Sequence, residues 1–172
     1  MELRSPRLRM ERLHPHHYDE LRRMHEDDRV MLHLGGPQDE AWTRGYLTRN
    51  LAHWDAHNHG LWIVYERDGH EPIGRAVLRH LDVAGVDEVE TGYAFYETYW
   101  GRGYATEVTQ ACLAMGFGEL NLPSIVAVTT LENTASQHVL TKCGMHFERS
   151  FARDDETLAL FRIARPVATA PV

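Results

Sequence analysis

Apolar and polar residues along this chain alternate, then recur at helical spacing, then alternate again. From Leu3 to Leu13 the apolar positions Leu3, Leu8, Met10 and Leu13 are interleaved with arginines and stop before a proline, which predicts a first strand. Beyond Pro15, the positions Tyr18, Leu21, Met24, Val30 and Met31 fit one helical face that Gly35-Gly36-Pro37 terminates. A second helix begins at Asp39, a good N-cap, and turns Ala41, Trp42, Tyr46, Leu47, Leu51 and Trp54 inward before the polar run from Asp55 to Gly60. Two strands, Leu61 to Tyr65 and Ile73 to Leu81, flank a turn carrying the hairpin signal Asp68-Gly69, and Val86 to Tyr96 is a third. The stretch Tyr93 to Phe117 then reads as strand, glycine loop (Gly101, Gly103) and helix, with Val108, Ala111, Cys112 and Met115 on one face. Asn121-Leu122-Pro123 turns the chain into an uncharged strand, Ile125 to Leu131. A short helix follows from Asn133, an N-cap, to Lys142, with Gly144 where a left-handed residue is needed. Strands Met145 to Phe151 and Thr157 to Ala164 flank the turn ARDDE, and the aperiodic end, 166–172, reads as a frayed tail.

The order β α α β β β α β α β β predicts a mixed α/β sheet covered by helices on both faces. With 172 residues, 43% of them hydrophobic, the chain suits one domain, 1–165, with a sizeable core. No apolar run approaches a membrane span and the N-terminus lacks a signal-peptide core, so a cytoplasmic protein away from membranes is the expectation. A formal net charge of −7 disfavours nucleic acid and suits cationic partners such as amines. Cys112 and Cys143 lie in apolar helical patterns without metal-ligand spacing and read as buried reduced thiols. The histidine clusters His14 to His17 and His53 to His59 match no established zinc pattern, so no metal is expected.

The glycine loop carries the clearest chemistry. Glycines let backbone amides converge, and the unpaired N–H groups of a first helical turn point at the same spot, which suits a phosphate. Neither a G-x-G-x-x-G with a later acidic residue nor a G-K-[ST] ending is present, so Rossmann and Walker sites fit poorly.

Three segments resemble the GNAT superfamily of acyl-coenzyme A dependent N-acetyltransferases, and in particular its ribosomal-protein N-terminal acetyltransferase branch. Thr98 to Gly103 aligns with the pyrophosphate loop, Thr98 standing where a Gln or Arg is usual, and the overlapping string YWGRGYATE is close to that branch's form. Val30 to Pro37 resembles that branch's helix-to-loop segment, and Glu132 to Met145 its second conserved helix. The resemblance implies the GNAT fold, a mostly antiparallel mixed sheet of about seven strands splayed between the fourth (Val86 to Tyr96) and fifth (Ile125 to Leu131). It implies acetyl-CoA as co-substrate, held by the backbone of Tyr93, Ala94 and Phe95 along the pantetheine, with side chains there serving as packing. Amides from Trp100, Gly101, Arg102, Gly103, Tyr104 and Ala105 would hold the pyrophosphate, with Thr106 close by and Asn133 touching the cofactor arm.

Many relatives place a catalytic Tyr where this chain has Leu140. In the ribosomal-protein branch a Ser three residues after the conserved Asn is implicated instead, here Ser136, as donor to the departing sulfur. Glu90 is a candidate base for the amine proton, with Asp154, Asp155 and Glu156 as a fallback set. His33, Trp42, Trp54 and Tyr99 are candidate acceptor-pocket residues. The expected reaction is direct acetyl transfer in a ternary complex to a primary amine, a protein N-terminus or a small molecule. A longer acyl donor such as succinyl-CoA, or a non-catalytic acyl-CoA binding module, are the alternatives. Dimers are common among similar proteins, so a homodimer is a further expectation.

Overall fold

The alternating start of the chain forms two strands, not one. In the computed structural model, which describes residues 2–166, β1 (Glu2–Arg4) and β2 (Leu8–Arg12) pair antiparallel across Ser5-Pro6-Arg7. Pro6 has no N–H for a ladder, and Ser5 N–H donates to the Leu8 carbonyl at 3.0 Å, closing a tight turn. The expected strand from Leu3 to Leu13 is therefore a hairpin. Of the tail expected over 166–172, all but residue 166 lies outside the described residues.

The first helix is also shorter than its apolar spacing suggests. A single 3-10 turn, Pro15–His17, leads into α1 (Tyr18–Glu26). The helix stops because the Asp27 carboxylate accepts from the N–H groups of Arg29 (2.8 Å) and Val30 (3.0 Å), an alternative to the helical ladder. Val30 and Met31 are buried all the same, from a turn rather than a helix. α2 (Glu40–His57) begins on Asp39, whose Oδ1 accepts from Trp42 N–H at 2.8 Å. It ends on Asn58 with φ +58°, a left-handed C-cap.

The sheet continues with β3 (Leu61–Glu66), β4 (Pro72–Val83) and β5 (Val86–Phe95); α3 (Tyr104–Gly118), β6 (Ser124–Thr130), α4 (Thr134–Lys142), β7 (His146–Arg153) and β8 (Glu156–Ala164) complete the chain. Its eight strands run β1-β2-β3-β4-β5-β6-β8-β7, one more than the expected seven because of the split first strand. Every pairing is antiparallel except β5 with β6, which is parallel. That parallel pair touches at one register position, Glu90 with Val126, and then diverges.

Helices cover both faces. Arg79 and Glu90, cross-strand neighbours on β4 and β5, face α2, where Arg79 reaches Tyr46 and Asn50. The next residue, Thr91, points the other way by strand alternation and lies against Cys112 of α3. The core contains the fully buried Leu8, Met10, Trp54, Trp62, Ile63 and Leu78. Cys112 and Cys143 are free thiols, Cys112 buried as expected and Cys143 only half-buried, and burial pushes Cys112 up to about 12. Among the described residues, no helix is long and apolar enough to cross a membrane.

Candidate functional site

The divergence of β5 from β6 opens a cleft of about 580 Å³ in the middle of the sheet. Its wall from β5 follows from strand alternation. Tyr96 N–H donates to the Ile73 carbonyl on β4, so Ala94 and Gly92, two and four residues back, also direct their backbone groups to β4. Tyr93 and Phe95 present theirs to the cleft. Ala94 was expected to pair with a ligand arm; its backbone faces Arg75 on β4 instead, and its methyl packs against Met24, Val30 and Met31. The Phe95 carbonyl already accepts from the Trp100 indole at 2.8 Å.

At the mouth, Gly101 (φ +73°) and Gly103 (φ +80°) adopt a conformation that other residues reach only with strain, which bends the loop into the start of α3. A Cβ at Gly101 would stand in open space. Gly103 is the N-cap of α3 and, among the described residues, no side chain caps that helix, so the first-turn N–H groups of Tyr104, Ala105 and Thr106, which line the cleft, have no side-chain acceptor there. The loop is braced from outside: Arg7 donates to the Arg102 carbonyl at 2.9 Å and, with Ser5, grips Glu107 in the first turn of α3. Burial would raise the Glu107 carboxyl, but the bonds from Ser5 and Arg7 outweigh it and hold it below the usual carboxylate range. The Arg102 side chain lies over the Tyr99 ring and 3.8 Å from Glu66, turned away from the cleft. Tyr104 donates to Glu66 at 2.6 Å. This uncapped, glycine-bent cradle suits a pyrophosphate by the chemistry of its donors.

Deeper in, Asn133 both caps α4, its Oδ1 accepting from Ser136 N–H at 3.0 Å, and lines the cleft. The Tyr93 hydroxyl donates to Ser136 Oγ at 3.1 Å. The Tyr93 side chain is therefore more than the packing expected of it. Burial pushes its phenol above the ordinary range, keeping the hydroxyl protonated. Leu140, where the resemblance implies a catalytic Tyr in many members, is buried in the adjoining core.

Glu90 also lines the cleft and is buried, with Oε1 accepting from Arg79 Nε at 2.8 Å. A network missed in the sequence surrounds it. Arg79 also reaches Tyr46 (3.4 Å) and Asn50 (3.3 Å), and Arg75 donates to the Tyr46 hydroxyl at 2.8 Å. The buried Arg75 Nε has no hydrogen-bond partner among the described residues. The available signal was two arginines four apart in an apolar strand, hence on one face.

His33, Tyr99 and Trp100 line the opening; His33 Nδ1 lies 3.3 Å from Thr130 Oγ1. Trp54 and Trp42 do not line it. Trp54 is 1% exposed, with its indole donating to the Leu61 carbonyl at 2.8 Å, and Trp42 stacks on Tyr46 beside His25. The apolar helical spacing that suggested both of them marks core. Asp154, Asp155 and Glu156 sit at the β7–β8 turn and do not line the cleft either.

Comparison with known proteins agrees with this architecture. The model of the acetyltransferase (GNAT) domain family matches residues 7–146. The chain is 29% identical over 135 residues to the uncharacterized protein YkkB of Bacillus subtilis, covering 78% of each. An acetyltransferase from Agrobacterium tumefaciens superposes with a TM-score of 0.84 at 29% identity, covering 96% of this chain and 95% of that one. RimL, a ribosomal L7/L12 alpha-N-protein acetyltransferase solved with coenzyme A, shares the fold at a TM-score of 0.79 and 14% identity, covering 96% and 98%. With a family model spanning most of its length and the fold, splay and glycine cradle in place, the chain belongs to the acetyltransferase (GNAT) family.

Proposed function

We propose that this protein transfers the acetyl group of acetyl-CoA directly to a primary amine within a ternary complex. The observation that carries this reading is the junction of the β5–β6 splay with an uncapped helix N-terminus at one end and the Tyr93–Ser136 pair at its base. Acetyl-CoA, used by the family, supplies an activated acetyl thioester when bound. The amides of 101–106 would hold its pyrophosphate, the expected Trp100 amide being taken instead by the Glu97 carbonyl at 3.0 Å, and the Tyr93 and Phe95 backbone would lie beside its arm as a strand does.

The residues of the cleft divide the proton work. As the amine nitrogen forms its bond to the carbonyl carbon and the carbon–sulfur bond breaks, Glu90 takes the amine proton, directly or through a water, while Arg79 holds the carboxylate in place. Ser136 Oγ donates a proton to the departing sulfur and takes one from the Tyr93 hydroxyl; as the products leave, Tyr93 regains its proton from solvent and Glu90 releases the amine proton to it. The turn bearing Leu32, His33 and Leu34 forms the side on which the acceptor enters; Leu32 and Leu34 are exposed there. The acceptor is a protein N-terminus or a small-molecule amine.

The test follows thiol release from acetyl-CoA and succinyl-CoA with a panel of peptide and small-molecule amines. Acceptor-dependent release from acetyl-CoA is the expected result. No release with any acceptor, despite thermal stabilisation by coenzyme A, would replace the enzyme with a binding module, and preference for succinyl-CoA would change the acyl group.

A further inference from the structure

β4 extends past the start of β3, so among the described residues its edge beyond Leu78 has no strand beside it. Histidines from the end of α2 and the loop after it cover that edge. His53 Nε2 accepts from the His80 amide at 3.0 Å, and His53 Nδ1 lies 2.8 Å from the His59 carbonyl. His59 Nδ1 lies 2.7 Å from the Leu78 carbonyl, and His80 Nδ1 lies 2.9 and 3.1 Å from the two Asp87 oxygens. A carbonyl or carboxylate can only accept, so these partners assign the tautomers. Both His53 nitrogens are in use, whereas His59 and His80 carry their protons on Nδ1 and keep a lone pair on Nε2. His57, exposed in the last turn of α2, stacks against His80 with ring centroids 4.2 Å apart.

We propose that His57, His59 and His80 bind one divalent transition-metal ion of the zinc class. Each offers a ring nitrogen, and the three lie within 4.8 Å of one another. A carboxylate or backbone carbonyl on the opposite ring nitrogen is the outer contact that orients metal-bound imidazoles, and two of the three histidines already have it. Zinc–nitrogen bonds of about 2.0–2.1 Å in a tetrahedron place the nitrogens about 3.4 Å apart, so binding draws together any pair now nearer the 4.8 Å limit. Three imidazoles suit zinc, nickel or copper and not the oxygen-seeking calcium or magnesium. None of the three lines the acetyl-transfer cleft. The ion would tie the end of α2 to β4, so its binding reads out as stability independently of catalysis.

A second group, Glu11, His16 and His17, provides an internal control, because its nitrogens lack that outer contact: His17 Nδ1 accepts from the His14 amide. The experiment uses the tag-free chain stripped with a chelating resin, titrated with zinc chloride by calorimetry and melted with zinc or magnesium. One equivalent of zinc binds and raises the melting temperature, and magnesium does not. His57→Ala and His80→Ala each weaken zinc binding tenfold or more. Asp87→Asn weakens it about ten- to a hundredfold. His16→Ala leaves it unchanged. Absence of zinc binding by the folded parent would overturn the proposal. So would zinc affinity kept by both His57→Ala and His80→Ala with native circular dichroism, or lost in His16→Ala.

Discussion

Gly103→Glu separates a phosphate cradle from a mere turn. Gly103 sits at φ +80°, and an L side chain held there costs about 1–2 kcal/mol. A Cβ at this position meets only Arg7 Nη2, at 3.4 Å, so Gly103→Ala destabilises by that strain and adds little clash. A glutamate at a helix N-terminus regains about 0.3–1 kcal/mol from the helix dipole, so Gly103→Glu folds about as well as the alanine variant. Its carboxylate stands where the pyrophosphate would. Two negative charges about 5 Å from a third cost roughly 1.7 kcal/mol even at the dielectric of water. Competition for the first-turn N–H groups adds about 1.5–3 kcal/mol, the worth of a charged hydrogen bond. Together these weaken coenzyme A binding by two to three orders of magnitude, at about 1.4 kcal/mol per tenfold. The assay is calorimetric titration of coenzyme A into parent, Gly103→Ala and Gly103→Glu, with circular dichroism to show that each is folded. A glutamate variant within threefold of the alanine variant would remove the pyrophosphate from this helix.

The remaining expectations test the interior of the cleft and the core. Ser136→Ala lowers kcat about a hundredfold or more while coenzyme A affinity stays near the parent's; an unchanged kcat would make Ser136 packing alone. Trp54→Ala destabilises by about 3–5 kcal/mol in chemical denaturation and leaves the acceptor KM unchanged in the folded fraction. A raised acceptor KM with stability intact would return Trp54 to the acceptor pocket. Burial, with Arg75 and Arg22 nearby, lowers His25 to about 3. Between about 3 and the unfolded 6.5 the unfolded chain therefore binds the extra proton, and stability falls as pH falls. From pH 6.5 to 5 the loss through His25 is on the order of 1–2 kcal/mol. Denaturation midpoints at the two pH values check this against His25→Gln, and equal slopes for parent and variant would remove His25 as the cause.

How far the chain could be read in advance depended on how local each feature was. Alternation and helical spacing identified most elements, because periods of two and 3.6 are properties of a few consecutive residues. They failed where a side chain competed with the backbone nearby, as Asp27 does in ending α1, and where alternation ran straight through the turn at Pro6. Trp54 and Trp42 were misplaced because helical spacing says that a residue faces inward without saying whether the inside is core or cleft.

The sequence alone determined the element order from α1 onward, the glycine loop opening α3 and the Asn133 cap of α4. Each depends on residues that are neighbours along the chain. The divergence of β5 from β6, the Arg79–Glu90–Tyr46 network, the Tyr93 bond to Ser136 and the meeting of His57, His59 and His80 were decided only in the folded molecule. Register and packing bring those distant residues together, and neither period nor spacing records which strand lies beside which.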